Sequence, residues 1–330
     1  MSFPWDRGHP GRKADEVLDA IGFLSTSNNS SRDAAKMAAV PGNLLINLME
    51  PRRWQLRDRV ITFDQRPLVM GIVNVTPDSF SDGGHFLDTS AAVEHGLKLV
   101  AEGADILDVG GESTRPGADA IPVKEELRRV VPVVTALARR TQAIISVDTM
   151  KPQVARQCLV AGAAIINDVA GFRDPELVRV VAEQRAAVIV MHMQGTPQTM
   201  QVNPQYADVV REVGEFFEER LRGLAKSGIP PEAVCLDPGI GFGKTFDHNL
   251  ELLANLGEFA RFDRPVCLGV SRKGFIGKLT GREKHERMPG SLAVACFAAA
   301  RNEAHLLRVH DVAATRDAAV LLEAINRSRR

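Results

Sequence analysis

Short apolar runs rich in β-branched residues recur along this chain: LVMGIVN (68–74), DILDVG (105–110), AIISVD (143–148), AIINDV (164–169), AVIVMH (187–192), AVCLDP (233–238), PVCLGVS (265–271) and HLLRVH (305–310). Between them lie stretches with helical spacing, at 90–103, 124–139, 175–185, 206–227 and 312–326. Runs with so little polar interruption fit strands covered on both faces, as in parallel sheets. Eight strand–helix units predict an α/β chain folded as a (β/α)8 TIM barrel. A doubly wound sheet would want a Gly-rich dinucleotide turn after an early strand, and none is present. Before the first barrel strand, WQLRDRVITFD (54–64) alternates around a polar turn and predicts a small β-hairpin. Residues 1–53 form a predicted N-terminal extension, with short helical patterns at 13–24 and 32–40 and a polar run at 25–31. The barrel domain is expected over 54–330.

Nearly every run ends in a chemically capable residue: Asn74, Asp108, Asp148, Asn167 with Asp168, His192, Asp237, Ser271 to Lys273, and Arg308 with His310. One such residue is more simply a helix cap or a satisfied loop group. All eight runs together point to the C-terminal face of a barrel, where active sites sit. Asp148, Asn167, Asp237 and Lys273 can read the amide-like edge of a flat heterocycle, because a carboxylate accepts paired N–H bonds while Lys and Asn donate. Asn74, Arg115, Arg308 and His310, with the hydroxyls of Thr76 and Thr114, suit a phosphate or pyrophosphate. Asn74 also offers an oxygen to Mg²⁺, which keeps its waters and binds together with substrate phosphates.

Two βα connections are long. The first, 76–88 (TPDSFSDGGHFLD), carries Gly83 and Gly84 with Asp78 and Asp82 and has the composition of a closing lid. The second, 110–122 (GGESTRPGADAIP), is similar. Phe80 and Pro116 on these loops fit a ligand cover or an ordinary surface anchor equally well. Other features point away from chemistry. PGIGFGKT (238–245) fails the P-loop spacing, and its turn fits backbone approach to a ring or the capping of a strand end. His192 has no second ligand at metal spacing and reads as a structural hydrogen-bonding group at the barrel rim. No Ser–His–Asp spacing or activated cysteine supports covalent catalysis.

Charge and composition narrow the class. Forty-one Lys and Arg balance 41 Asp and Glu, which argues against a nucleic-acid or anionic-membrane binder. No apolar run approaches the roughly 18–20 residues of a membrane helix. The four cysteines are far apart, and the N-terminal stretch has neither a secretory core nor an acid-poor transit composition, so the cytoplasm is expected.

Taken in order, GIVNVTPDSFSDGG (71–84), ILDVGGESTRPGA (106–118), SVDT (146–149), INDV (166–169), MHMQGTPQTMQ (191–201), LDPGIGFGKT (236–245), SRKGFIGK (271–278) and LRVHDV (307–312) resemble the dihydropteroate synthase family over about 54–325. The resemblance implies condensation of 6-hydroxymethyl-7,8-dihydropterin pyrophosphate with 4-aminobenzoate, giving 7,8-dihydropteroate and pyrophosphate through a dissociative step assisted by Mg²⁺. It implies pterin contacts from Asp108, Asp148, Asn167, Asp237 and Lys273, with a loop-supporting role also open for Asp108. Pyrophosphate contacts would come from Asn74, Thr114, Arg115, Arg308 and His310, and a metal contact from Asn74. Phe80, Pro116 and Ser271 match the aminobenzoate pocket, which sulfonamides imitate in this family. Asp82, Lys273, Arg308 and His310 are the expected catalytic groups, Asp82 facing the cationic intermediate. A homodimer is also implied, and the small-residue helix SLAVACFAAA (291–300) suits either its interface or internal packing. The chain departs from the family at Gly274, where many members carry Ser or Arg, so a side-chain contact to the aminobenzoate carboxylate would be missing. Two other readings use the same residues: a pterin-binding methyltransferase, which needs no pyrophosphate pocket, and an inactive pterin-binding paralogue, which would have lost the loop and barrel charges retained here.

Overall fold

The computed structural model describes residues 52–63, 66–75 and 85–328 of the 330-residue chain. The chain divides into two units, Met1–Met49 and Glu50–Arg330, and every described residue belongs to the second. The expected helical patterns at 13–24 and 32–40 lie outside the described residues, as do Phe80, Asp82 and most of the first long loop.

The predicted hairpin forms from β1 (Arg52–Gln55) and β2 (Val60–Phe63), antiparallel with Trp54 opposite Ile61. It starts two residues earlier than the sequence pattern indicates and so takes in the last two residues of the predicted extension. Eight parallel strands follow: β3 (Leu68–Asn74), β4 (Ile106–Gly110), β5 (Ile144–Asp148), β6 (Ile165–Asp168), β7 (Ala187–Met191), β8 (Val234–Asp237), β9 (Cys267–Leu268) and β10 (Leu306–Val309). They pair in the order β8-β7-β6-β5-β4-β3-β10-β9. A parallel bridge between Leu236 and Val266, with Leu236 N–H donating to Pro265 O at 2.9 Å, joins β8 to the start of β9 and closes the ring. The helices between strands are α1 (His85–Ala101), α2 (Val123–Arg140), α3 (Pro152–Ala161), α4 (Pro175–Gln184), α5 (Val209–Lys226), α6 (Phe246–Ala254), α7 (Gly274–Thr280) and α8 (Met288–Ala300), with α9 (Val312–Arg327) after β10. The chain is a (β/α)8 barrel.

Side chains alternate across a strand, so each barrel strand has an outward and an inward set. Outward residues such as Val69, Leu107, Val147, Ile166 and Val188 pack against the helices in one large core. Inward residues Met70, Ile106, Ile165, Ile189, Cys235, Cys267 and Leu306 form a separate layer, and Trp54, Leu56 and Phe63 of the hairpin region pack into it from the N-terminal side. Two residues further along four of these strands, the same inward face presents Asp108, Asn167, Asp237 and Arg308. The apolar layer is therefore the floor on which the polar layer stands. Trp54 is fully buried and its indole N–H donates to Ala233 O at 2.9 Å. Trp54→Phe leaves that carbonyl without its donor and is expected to lower stability by about 1–3 kcal/mol, read as a lower urea midpoint with unchanged slope.

Candidate active site

β3, β5, β6, β8 and β10 deliver Asn74, Asp148, Asn167, Asp237 and Arg308 to one cavity of about 780 Å³, which Lys273, Ser271 and His310 also border. From the second long loop, Thr114, Arg115 and Pro116 border it too. The expected pterin set, anion set and second-loop set thus share one cavity. Asp108 is the exception. It is fully buried beneath the cavity rather than bordering it, and its Oδ2 accepts from Arg308 Nε at 2.6 Å and Asn167 Nδ2 at 3.0 Å. This geometry makes Asp108 a support for two cavity residues.

Arg308, expected in the anion set, is held between carboxylates. While Nε serves Asp108, Nη2 donates to Asp148 Oδ2 at 2.7 Å. Burial lowers the guanidinium pKa, but the two carboxylates outweigh it and keep Arg308 charged. Burial also pushes the Asp148 carboxyl up, against the pull of Arg308, with Asp108 adding repulsion. Asp237 is likewise raised by burial, partly offset by the Gly239 N–H that donates to its Oδ1 at 2.7 Å and by Lys273.

The Lys273 ammonium lies 4.0 Å from the centroid of the Phe242 ring and makes no hydrogen bond among the described residues. Burial, with Arg308 adding repulsion, lowers its pKa to about 8. A cation bordering a cavity without a hydrogen-bond partner is a donor waiting for an acceptor. Ser271 Oγ accepts the His310 backbone N–H at 3.1 Å and lies 2.9 Å from His310 Nδ1. Burial first, then Arg308 and Arg272, lower the His310 pKa to about 4. At neutral pH His310 is therefore an uncharged hydrogen-bonding group and adds no positive charge to the anion set. With the Ser271 hydroxyl donating to Nδ1, the ring proton sits on Nε2.

Arg272, between Ser271 and Lys273, has a left-handed backbone (φ +58°), which costs a non-glycine residue about 1–2 kcal/mol. Its N–H donates to Ser291 Oγ at 2.8 Å, and its guanidinium makes a two-point pair with Asp311 at 3.0 and 2.5 Å. These contacts offset the strain and fix the turn that presents Ser271 and Lys273. The sequence alone names Arg272 only as part of a run.

The decoys resolve into supports. Lys244 of the false P-loop is buried, and its Nζ donates to His192 Nδ1 at 3.0 Å, His192 O at 3.2 Å and Phe242 O at 3.0 Å. Burial and Lys244 lower the His192 pKa to about 2, so the ring is a neutral acceptor at the barrel rim. Gly239 is required in this loop: its φ is +68°, and an added Cβ would sit 1.9 Å from His192 O. Asp168, paired with Asn167 in the sequence reading, faces away from the cavity chemistry and accepts the Ala170 and Phe172 N–H groups at 2.8 and 2.6 Å.

Beyond Met191, whose place in MHM at the end of a strand run sets it at the barrel mouth, several cavity residues escape sequence reasoning. Met191, Met200 and Phe242 supply apolar walls, and Lys278, Lys284 and Arg287 line the same cavity from the α7–α8 segment. Met191 ends the uninterrupted apolar run of β7, whereas the three cations sit on irregular or short elements with no periodic signature.

Residues 70–310 match the family described as pterin binding enzyme. A dihydropteroate synthase from Escherichia coli strain K12 is 50% identical over 258 residues, spanning 78% of this chain and 91% of that protein. The solved Xanthomonas albilineans dihydropteroate synthase with 4-aminobenzoic acid has a TM-score of 0.78 at 50% identity, covering 84% of this chain and 98% of that one. The Xanthomonas albilineans enzyme in complex with 7,8-dihydropteroate gives 0.75 at 47% identity, covering 83% and 98%. On a family match over most of its length and on relatives of this identity and coverage, the chain belongs to the pterin-binding enzymes and, within them, to the dihydropteroate synthase family.

Proposed function

We propose that this chain condenses 6-hydroxymethyl-7,8-dihydropterin pyrophosphate with 4-aminobenzoate to give 7,8-dihydropteroate and pyrophosphate. The observation that carries this reading is one cavity bordered by a heterocycle-reading set (Asp148, Asn167, Asp237, Lys273) and by anion-binding groups (Asn74, Thr114, Arg115, Arg308, His310). Lys273 donates to ring acceptors of the pterin, and Asp148, Asn167 and Asp237 fix its amide-like edge. The exocyclic C–O bond breaks with its electron pair leaving on pyrophosphate, and the remaining cation spreads into the dihydropterin ring. Buried carboxylates facing that ring stabilise the cation in a low-dielectric site. The aminobenzoate nitrogen then attacks the exocyclic carbon and releases a proton. Asp82 faces the cation and Phe80 the aryl ring on this reading, which for both rests on the family motif. Pro116 and Ser271 are placed against aminobenzoate. With Gly274 contributing no side chain there, a sulfonamide would compete through the same backbone and Ser271.

The Asn74 amide borders the cavity and has no hydrogen-bond partner among the described residues. One hard oxygen fits Mg²⁺, which takes its remaining ligands from water and phosphate. Among the described residues no cluster of three His, Cys, Asp or Glu could hold a metal alone. The ion would supply charge neutralisation on the leaving group, and Asn74 would orient it. A homodimer is supported by apolar side chains exposed on α8 and α9, notably Phe297, Val320, Leu321 and Ile325. A cytoplasmic setting is supported by four free cysteines, three of them buried.

Purified protein given the dihydropterin pyrophosphate and Mg²⁺ is expected to release pyrophosphate only when 4-aminobenzoate is present. Tight pterin binding without release would move the assignment to a methyltransferase or an inactive paralogue.

A further inference from the structure

Residues that no step of the proposed reaction uses form a charged junction at the base of the second long loop. Lys151 follows the β5 strand end by three residues, and its three ammonium hydrogens all have acceptors. They go to Glu112 Oε2, to Glu126 Oε2 at 2.6 Å and to Ile121 O at 2.7 Å. Glu112 stands at the start of the loop and Ile121 at its end, while Glu126 belongs to the first turn of α2. One cation therefore ties both roots of the loop to β5. Glu126 is 1% exposed, and its second oxygen accepts from Thr149 Oγ1 at 2.6 Å. The Thr149 N–H in turn donates to Asn167 O at 3.0 Å. Arg129 adds a donor to Gly111 O at 2.9 Å. The tip is held differently. Its described contacts outside the loop are Gly117 N–H to Pro197 O at 3.1 Å and Gln198 Nε2 to Ala118 O at 3.2 Å. Fixed roots and a lightly held tip make a hinged arm whose tip carries Thr114, Arg115 and Pro116.

Two acidic side chains sharing one lysine are costly to bury, and a loop needs only one such anchor to be attached. The arrangement is explained when the positions of both roots matter. We propose that Lys151 is a positioning residue for the second loop, setting through Glu112, Ile121 and Glu126 the path along which that loop closes over the pyrophosphate and the arylamine. Lys151 touches neither substrate. Its link to the pterin end is the chain itself, since Asp148, Thr149 and Lys151 lie within four residues. This inference rests on the synthase reading for its kinetic consequence, but not for its mechanical one.

The test uses the full chain with Lys151→Met, Lys151→Arg and Glu112→Gln, the last leaving the Lys151–Glu126 pair intact. Lys151→Met is expected to lower kcat/KM for aminobenzoate at least tenfold, while affinity for 6-hydroxymethyl-7,8-dihydropterin, which lacks the pyrophosphate assigned to Thr114 and Arg115, stays within about threefold by calorimetry. Lys151→Arg is expected to recover most of the loss, and Glu112→Gln to show the same split more weakly. Amide hydrogen exchange over 112–121 is expected to quicken in Lys151→Met and Glu112→Gln, with the rest of the barrel unchanged. Equal loss of pterin affinity and turnover would overturn the proposal, because the junction would then serve the barrel as a whole. If Lys151→Met fails to fold, Glu112→Gln decides alone, and unchanged aminobenzoate kinetics in it would also overturn the proposal. An inactive wild-type chain would sink the synthase reading instead. The exchange data would then still decide, and unaltered exchange at 112–121 would end the claim of a hinge.

Discussion

Arg308→Met is expected to destabilise the protein by about 3–5 kcal/mol and to abolish turnover, because it strips the single cation from between two buried carboxylates. Asp108 is fully buried and Asp148 nearly so. The guanidinium donates to both, so the methionine variant would leave them facing each other across an apolar side chain. The loss also has a pH signature. Burial already holds the Asp148 carboxyl above its ordinary value, and Arg308 is the main influence pulling it down. Without Arg308 the folded-state pKa rises further above the unfolded value. A carboxyl of that kind contributes stability at acid pH and loses it as pH climbs through its folded pKa. The deficit of Arg308→Met relative to wild type should therefore be small near pH 5 and larger near pH 8. Urea midpoints at the two pH values check this, and an equal deficit at both would mean that the cost is lost packing rather than uncompensated charge.

The second large effect is on binding. Lys273→Met is expected to weaken dihydropterin pyrophosphate affinity by about ten- to a hundredfold, since hydrogen bonds to charged groups are worth about 1.5–3 kcal/mol and each 1.4 kcal/mol is tenfold. Stability should move the other way. Lys273 is a half-buried, desolvated cation with no hydrogen-bond partner among the described residues, and its pKa of about 8 lies below the 10.5 of a free lysine. Between those values the unfolded chain binds more protons, so wild-type stability rises with pH across that window as the desolvated charge is relieved. Methionine never carries the charge, so the variant should melt no lower than wild type at pH 7. The wild-type kcat/KM for the pterin substrate should fall above about pH 8 as the free protein loses this proton. Lys273→Arg, which stays charged, should lack that alkaline limb. Reduced melting temperature together with reduced affinity would make Lys273 a structural residue.

The barrel was legible because its strands are covered on both faces and its helices carry a distinct period. Parallel burial writes uninterrupted apolar runs, and β3 to β10 fall within the eight runs singled out. The hairpin was legible from alternation, but its start was missed by two residues, since Arg52 and Arg53 carry no apolar signal. Asn74, Asp148, Asn167, Asp237 and Arg308 could be read because strand ends of a barrel converge. Depth could not be read. Nothing in DILDVG tells that Asp108 lies below the cavity while Asp148 borders it; that follows from strand register, with Gly110 rather than Asp108 opposite Asp148. Nor could the charge state of His310, which depends on burial and on Arg308 and Arg272. The Lys151 junction joins residues 25 to 39 positions apart in sequence, so no local pattern announces it.

In β4, β6, β8 and β10, the residue that packs the floor and the residue that lines or supports the cavity stand two places apart on the same face. Adding or deleting one amino acid between them would put the two on opposite faces, so that one of them leaves the barrel axis. Codon insertions there should be purged from populations of this gene as thoroughly as nonsense changes. Lengthening the exposed helix–strand turns on the opposite face would leave that spacing intact. The lineage can therefore vary in length only outside these strands, and its chemistry inherits the immobility of its packing.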